Sequence, residues 1–125
     1  MWAWPPGWHV LAVVSCALSS EVEVGVEERE NGILVRVSGV LDANALPLVS
    51  RELTDAQRDA DAVFVDLEGV TFMDSRGLGS LLAANERARE GAAPINIYRP
   101  SEAVRRLLEV SGVAPVIPEI EELPA

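Results

Sequence analysis

The sequence predicts an α/β domain in which helices pack against a mixed sheet of four to five strands. Three observations predict it: an alternating segment that precedes a turn, a nearly continuous apolar run in mid-chain, and apolar residues at helical spacing between such runs. From residue 21 the expected order is two strands, then helix, strand, helix, strand and helix, with a short final strand. This order requires an antiparallel pair followed by parallel crossovers.

The first two strands are predicted to form an antiparallel hairpin. In residues 21–27 Val occupies every second position, between Glu or Gly residues, and this alternation is typical of a strand with one solvated face at or near a sheet edge. Asn31-Gly32 is a strong turn signal, and the apolar residues 33–37 form the returning strand. The two strands should therefore pair antiparallel.

The first helix is predicted over residues 45–59. Its apolar side chains recur at the spacing of one helix face, and they are Leu46, Val49, Leu53 and Ala56. Asp42 or Asn44 is expected to cap the helix, and Pro47 is tolerated because it lies in the first turn.

A central strand is predicted at residues 62–67, since a nearly continuous apolar run is typical of a strand covered on both faces. A second apolar stretch, residues 70–73, leads into Asp74. A helix then starts near Ser75 and ends near Gly91.

The last elements are a strand at residues 94–98 and an amphipathic helix that Ser101 caps and Gly112 ends. Residues 116–117 are expected to add a short strand. Residues 119–125 have the composition of a frayed acidic tail. We therefore place the folded domain at residues 21–118.

The charge and the cysteine content exclude several classes of function. The 125 residues include 20 acidic and 10 basic side chains, all of the latter Arg, for a net charge of −10. So acidic a chain is a poor match for a phosphate backbone, and we expect no direct nucleic-acid binding. One Cys and one His, Cys16 and His9, exclude an internal disulfide and predict no metal site and no cofactor. No apolar run approaches the roughly 18 residues of a membrane span.

Residues 1–20 differ from the rest of the chain. They contain no charged side chain, yet they hold all three Trp, the His and the Cys. We expect an extension outside the fold, for example from an upstream translation start. The alternative is an export signal, but the positive stretch that opens such signals is absent. A lipoprotein signal at Cys16 is a weaker alternative, since the preceding residues fit it poorly.

The segment most informative about chemistry is residues 72–79, Phe-Met-Asp-Ser-Arg-Gly-Leu-Gly. Asp74 and Ser75 are good residues for a helix start, and Gly77 and Gly79 keep the backbone open to another molecule. Free N–H groups at the helix start would favour an anion such as a phosphoryl group. The alternative is that these residues only cap a helix and turn the chain.

Three segments in order resemble the STAS domain family, the anti-sigma factor antagonists. Residues 38–42, Ser-Gly-Val-Leu-Asp, are similar to the family's Gly-Glu-Leu-Asp element. Residues 65–79 resemble its signature strand and loop, and residues 100–112 its third helix. The resemblance covers about 95 residues, from Val22 to Ile117. It implies the STAS fold.

The resemblance also implies a function. In the antagonist branch, the Ser after the signature Asp is phosphorylated by an anti-sigma factor that is itself a serine kinase; here this is Ser75. The unphosphorylated protein would bind that anti-sigma factor and free a sigma factor, and the phosphorylated protein would release it. The implied protein is a bacterial, cytoplasmic regulator of transcription without catalytic activity. The implied contact surface comprises Asp42, Asp74, Arg76, Gly77 and Leu78.

Two positions depart from the family pattern. Arg76 stands where many members have a second Ser or Thr, and it is expected to pair with a phosphoserine, contact the partner or remain a solvated charge. Val40 stands where the family usually has Glu, which removes a carboxylate beside the loop. The roles of both Asp residues stay open. Asp42 is a helix cap, part of the partner surface, or both, and Asp74 either orients the Ser75 hydroxyl or serves only as a cap.

Two alternatives to the switch remain. The first is a STAS subunit held permanently in a transporter-associated or stressosome-like assembly. The second is a hydrolase with Ser75 as nucleophile, but a Ser nucleophile needs a neighbouring base and His9 lies outside the matched region. Gly-x-Ser-x-Gly, Walker and dinucleotide fingerprints are absent from the sequence. The pair Arg105-Arg106 is expected to be a solvated helix face.

Overall fold

The computed structural model describes residues 9–15 and 21–124, in which three helices pack against a six-stranded sheet with the strand order β1-β2-β3-β4-β5-β6. The strands are β1 (His9–Ser15), β2 (Glu21–Arg29), β3 (Gly32–Leu41), β4 (Val63–Met73), β5 (Ile95–Tyr98) and β6 (Glu119–Ile120). The helices are α1 (Leu46–Asp59), α2 (Ser75–Arg89) and α3 (Glu102–Ser111). The predicted α/β class with a mixed sheet is confirmed. None of the helices in the described residues is long and apolar enough to cross a membrane.

The hairpin is confirmed. Strands β2 and β3 pair antiparallel, with Val24 opposite Val37 and Arg29 opposite Gly32. Gly32 has φ +150°, and a Cβ on it would lie 2.2 Å from the carbonyl oxygen of Ala62. Glycine is therefore required here for both conformation and space.

Strand β4 is the centre of the sheet and pairs parallel with β3 on one side and β5 on the other. The two apolar stretches predicted separately form one strand of 11 residues. Its first half is covered on both faces, as predicted, since Val65 and Leu67 lie in the core while Phe64 on the other face is 4% exposed.

Helix α1 starts differently from the prediction. The residue before it is Ala45, which makes no side-chain capping bond. The Asp42 carboxylate instead accepts a hydrogen bond from the backbone N–H of Asn44 at 3.0 Å, so neither side chain caps the helix. Pro47 does lie in the first turn. Because proline has no N–H, it leaves one fewer donor to be capped.

Helices α2 and α3 begin and end as predicted. Asp74 caps α2, and the Ser101 hydroxyl accepts a hydrogen bond from Val104 N–H at the start of α3. Gly112 ends α3 with φ +74°, the left-handed conformation that favours glycine. All three helices share one core with the sheet, to which they contribute Leu53, Leu81 and Leu108.

Both ends of the sheet differ from the prediction. Strand β1 pairs antiparallel with β2, from His9 opposite Val26 to Ser15 opposite Glu21. Residues 9–15, which belong to the segment that we expected outside the fold, therefore form a sixth strand of the sheet. The domain limits of 21 and 118 stay a prediction. The predicted strand at residues 116–117 is wrong. The last strand is β6, which pairs parallel with β5 and occupies the start of the expected acidic tail, whereas Ile117 packs into the core. Residues 1–8 and 16–20, with Cys16, lie outside the described residues.

Candidate functional site

The candidate site lies where β3 and β4 end side by side. Their register pairs Leu41 with Met73, so Asp42 and Asp74 follow on neighbouring parallel strands at the same edge of the sheet. At Asp74 the chain turns directly into α2. The carboxyl edge of parallel strands is where α/β proteins commonly place binding sites.

Asp74 is the helix cap. Its carboxylate accepts hydrogen bonds from the N–H groups of Arg76 at 2.9 Å and Gly77 at 3.0 Å. Its own N–H donates to the Leu41 carbonyl at 3.4 Å, which ties the start of α2 to the end of β3. The helix N–H groups that we expected to be free for an anion are therefore already occupied by a carboxylate. Between the two roles left open for Asp74, the structure shows the cap.

Ser75 is the first residue of α2 and is exposed to solvent. Its hydroxyl makes no hydrogen bond to any residue in the described part of the chain. The backbone of His9 lies in β1, which two strands separate from β4. The backbone of the one His in the sequence therefore does not adjoin the Ser75 loop, and a Ser nucleophile needs a neighbouring base.

Arg76 is exposed beside Ser75. Within the described residues it is the one arginine whose side chain makes neither an ion pair nor a hydrogen bond. By contrast, Arg105 on α3 binds the Glu119 carboxylate at 3.0 Å. The guanidinium of Arg76 is thus available to a phosphoryl group or to an acidic partner residue.

Gly77 and Leu78 lie inside the domain, so their predicted place on the contact surface is corrected. A Cβ on Gly77 would lie 2.3 Å from the Leu41 carbonyl oxygen, and Leu78 is 4% exposed in the core. Gly77 thus packs against the end of β3, whereas Leu78 packs into the core. Gly79 differs, because a Cβ there would meet no atom within 4 Å. Gly79 lies one turn after Ser75. Because glycine has no side chain, the helix surface beside the Ser75 hydroxyl is flat at this position.

Asp42 is partly exposed at the neighbouring strand end, where its carboxylate closes a tight turn onto Asn44. The solvent-accessible surface at this edge therefore comprises Asp42, Ser75, Arg76 and the open side of Gly79. One further exposed residue at this edge of the sheet was not predicted from the sequence. Phe72 pairs in register with Val40 and is 51% exposed, although it belongs to an apolar stretch that resembled core.

A cluster of charged residues surrounds Asp66, which lies in the first half of β4. Asp66 is fully buried, and its carboxylate binds Arg99 at 2.6 Å and lies 3.9 Å from Arg36. Burial lowers the pKa of Arg36 more than Asp66 raises it. Burial also acts to lower the pKa of Arg99, but the hydrogen bond and charge of Asp66 together with the charges of Glu68 and Tyr98 outweigh it, so the pKa of Arg99 is raised. Arg99 has φ +49°, a left-handed conformation uncommon outside glycine. This cluster links β3, β4 and the end of β5.

The chain is similar to known proteins over most of its length. The family model described as "Mlab, STAS domain" matches residues 24–118. The chain is 25% identical over 96 residues to the anti-sigma-B factor antagonist of Bacillus subtilis, covering 77% of this chain and 88% of that protein. It is 31% identical over 80 residues to the anti-sigma-B factor antagonist of Staphylococcus aureus, covering 63% and 74%.

The chain is also similar to a solved structure. The crystal structure of an anti-sigma factor antagonist from Mycobacterium paratuberculosis has a TM-score of 0.73 and 25% identity, covering 88% of this chain and 92% of that chain. The strand order, the aspartate-capped helix and the exposed serine that follows the cap thus define a STAS domain. The chain belongs to the STAS domain family, as the resemblance of its three segments predicted.

Proposed function

We propose that this protein is an anti-sigma factor antagonist that phosphorylation of Ser75 switches off. It binds an anti-sigma factor of the serine-kinase class in the bacterial cytoplasm and so frees a sigma factor. The observation that carries the proposal is the exposed, unbonded hydroxyl of Ser75 at the first position of a capped helix, beside the free guanidinium of Arg76. The names of the relatives from Bacillus subtilis and Staphylococcus aureus support an anti-sigma factor as the partner.

The proposed switch acts at the contact surface. A phosphoryl group adds about −1.5 to −2 charge and three acceptor oxygens. It is not drawn into the helix start, because the Asp74 carboxylate already holds the N–H groups of Arg76 and Gly77 and repels a second anion. The group therefore projects from the surface and leaves the fold little changed. A partner packed on Ser75 and the flat face at Gly79 has no room for it.

Arg76 has a specific part in this proposal. In the unphosphorylated protein its guanidinium is free to contact an acidic group on the anti-sigma factor. After phosphorylation the same guanidinium lies beside a dianion and pairs with it. The partner then loses a cationic contact in addition to meeting the phosphoryl group.

The test is the binding of Ser75 variants to the anti-sigma factor. A photo-crosslinker at position 76 captures the partner in lysate of the source bacterium, and mass spectrometry identifies it. The purified partner then binds Ser75→Ala as tightly as wild type, whereas Ser75→Glu binds about tenfold more weakly or worse. Thr54→Glu is the matched control, since it adds the same charge at an exposed position on α1 and should bind normally.

Intact-mass analysis with ATP completes the test. The purified anti-sigma factor should add one phosphoryl group to wild type and none to Ser75→Ala. Equal binding by Ser75→Glu and wild type, with no modification of Ser75, would instead identify a STAS subunit that is bound permanently in an assembly.

A further inference from the structure

A second surface adjoins the Ser75 site. It is a groove of about 780 Å³ between the end of β4 and one side of α3, which we call the β4–α3 groove. Its volume lies within the range of pockets that hold ligands in proteins. The β4–α3 groove is lined by Val70, Thr71, Phe72, Met73, Ser101, Glu102, Ala103, Arg106, Leu107 and Val110.

The groove exists because β5 is much shorter than β4. Strand β5 has four residues and pairs only with residues 63–66 of β4. Beyond them, residues 67–73 have no strand on that side anywhere in ranges 9–15 and 21–124. The Ser101 N–H closes the near end by donating to the Leu67 carbonyl at 3.2 Å. The rest of β4 is an open strand edge, which is a template for an added extended chain.

The walls of the groove are apolar and nearly neutral. Across the described chain, the exposed large hydrophobic residues are Phe72, Val110 and Val116, and the first two line this groove, at 51% and 81% exposure. Its charged residues are Glu102 and Arg106, which lie 3.6 Å apart on successive turns and offset each other. On a chain of net charge −10, this neutral apolar patch fits an uncharged segment and not an ionic ligand.

The groove is continuous with the candidate site. Phe72 and Met73 line the groove, and Asp74 and Ser75 follow them directly in the chain. We propose that the β4–α3 groove binds an extended apolar segment of the same anti-sigma factor that contacts Ser75, laid along the open edge of β4. This inference rests on the proposed function. The groove supplies affinity through backbone hydrogen bonds and through contacts to Phe72 and Val110, and Ser75 supplies the switch.

Photo-crosslinking tests which molecule occupies the groove. A crosslinker at position 110 should capture the same protein that position 76 captures, through a contiguous segment rich in apolar residues. A crosslinker at position 28, exposed at the far end of β2, is the control for background. Capture from position 76 but not from position 110 would overturn the groove inference and leave the proposed function intact. Failure at both positions would overturn both.

Affinity measurements with two matched variants complete the test. Val110→Arg places a charge in the groove, whereas Val116→Arg makes the same change at an exposed residue outside it. We expect Val110→Arg to weaken binding of the purified partner about tenfold or more, and Val116→Arg to bind within about twofold of wild type. Equal affinities for both variants would overturn the inference. A concentration-dependent dimer of the chain alone, lost in Val110→Arg, would show that a second copy occupies the groove and would also overturn it.

Discussion

Replacing Gly77 with alanine is the sharpest test of how the Ser75 loop is held in place. Gly77 lies in the first turn of α2, against the end of β3. A Cβ there would lie 2.3 Å from the Leu41 carbonyl oxygen and 2.9 Å from Leu41 Cγ. A real Cβ essentially never lies closer than 3.0 Å to such an atom, so α2 must move by about 0.7 Å from the Leu41 carbonyl oxygen.

The expected change in the free energy of unfolding follows from one stabilising and two destabilising contributions. Alanine gains about 1 kcal/mol over glycine in a helix. Overpacking costs about 1–3 kcal/mol, and a shift of the helix start weakens the two capping bonds of Asp74, which are worth about 0.5–2 kcal/mol. We therefore expect the free energy of unfolding to fall by about 2 kcal/mol for Gly77→Ala.

Gly79→Ala is the matched control in the same helix. A Cβ at Gly79 meets no atom within 4 Å, so only the gain in helix propensity remains. We expect this variant to be about 0.5–1 kcal/mol more stable than wild type. Because Gly79 lies on the proposed contact surface, the same variant should bind the anti-sigma factor more weakly despite its higher stability.

Urea unfolding followed by circular dichroism measures both effects. With a slope of about 2 kcal/mol/M, the Gly77→Ala midpoint should move down by about 1 M, whereas the Gly79→Ala midpoint should move slightly up. If Gly77→Ala is as stable as wild type, the contact between α2 and Leu41 is not what positions the loop. Destabilisation by Gly79→Ala would refute the open surface beside Ser75.

Four further variants test other parts of the structure by the same unfolding assay. Asp74→Ala should lose about 1 kcal/mol with the cap, while Asp74→Asn, which can still cap, should lose only a few tenths; equal losses would contradict the capping role. Asp66→Ala should lose about 3–5 kcal/mol, since it removes the buried carboxylate that faces the buried guanidinium of Arg36 and binds the part-exposed Arg99, and wild-type stability would contradict this cluster. Arg76→Ala should stay within about 0.5 kcal/mol of wild type because its side chain makes no bond to the described residues, and a larger loss would show that Arg76 supports the fold.

Local signals in the sequence predicted the parts of the fold that depend on neighbouring residues. The Asn31-Gly32 turn, the Ser101 cap and the Gly112 helix end each follow from the conformational preferences of a few adjacent residues. The site could be placed for the same reason, since a strand, an Asp-Ser pair and a helix follow one another directly in the chain.

Features that depend on distant residues could not be predicted. The burial of Gly77 requires the Leu41 carbonyl, which β3 supplies, and the charge cluster requires Arg99 to reach Asp66 from the end of β5. The β4–α3 groove depends on the shortness of β5 relative to β4. Strand β1 was missed because pairing between strands is a tertiary contact, and an uncharged composition does not show whether a segment pairs.

The most direct test of the Ser75 switch is the dissociation constant of the purified anti-sigma factor for two forms of this protein. One form is unphosphorylated, and the other carries a phosphoryl group on Ser75 alone, checked by intact mass and fragment mapping. Isothermal titration calorimetry should show binding by the first form and an affinity at least about tenfold lower for the second. Equal dissociation constants would contradict a switch at Ser75.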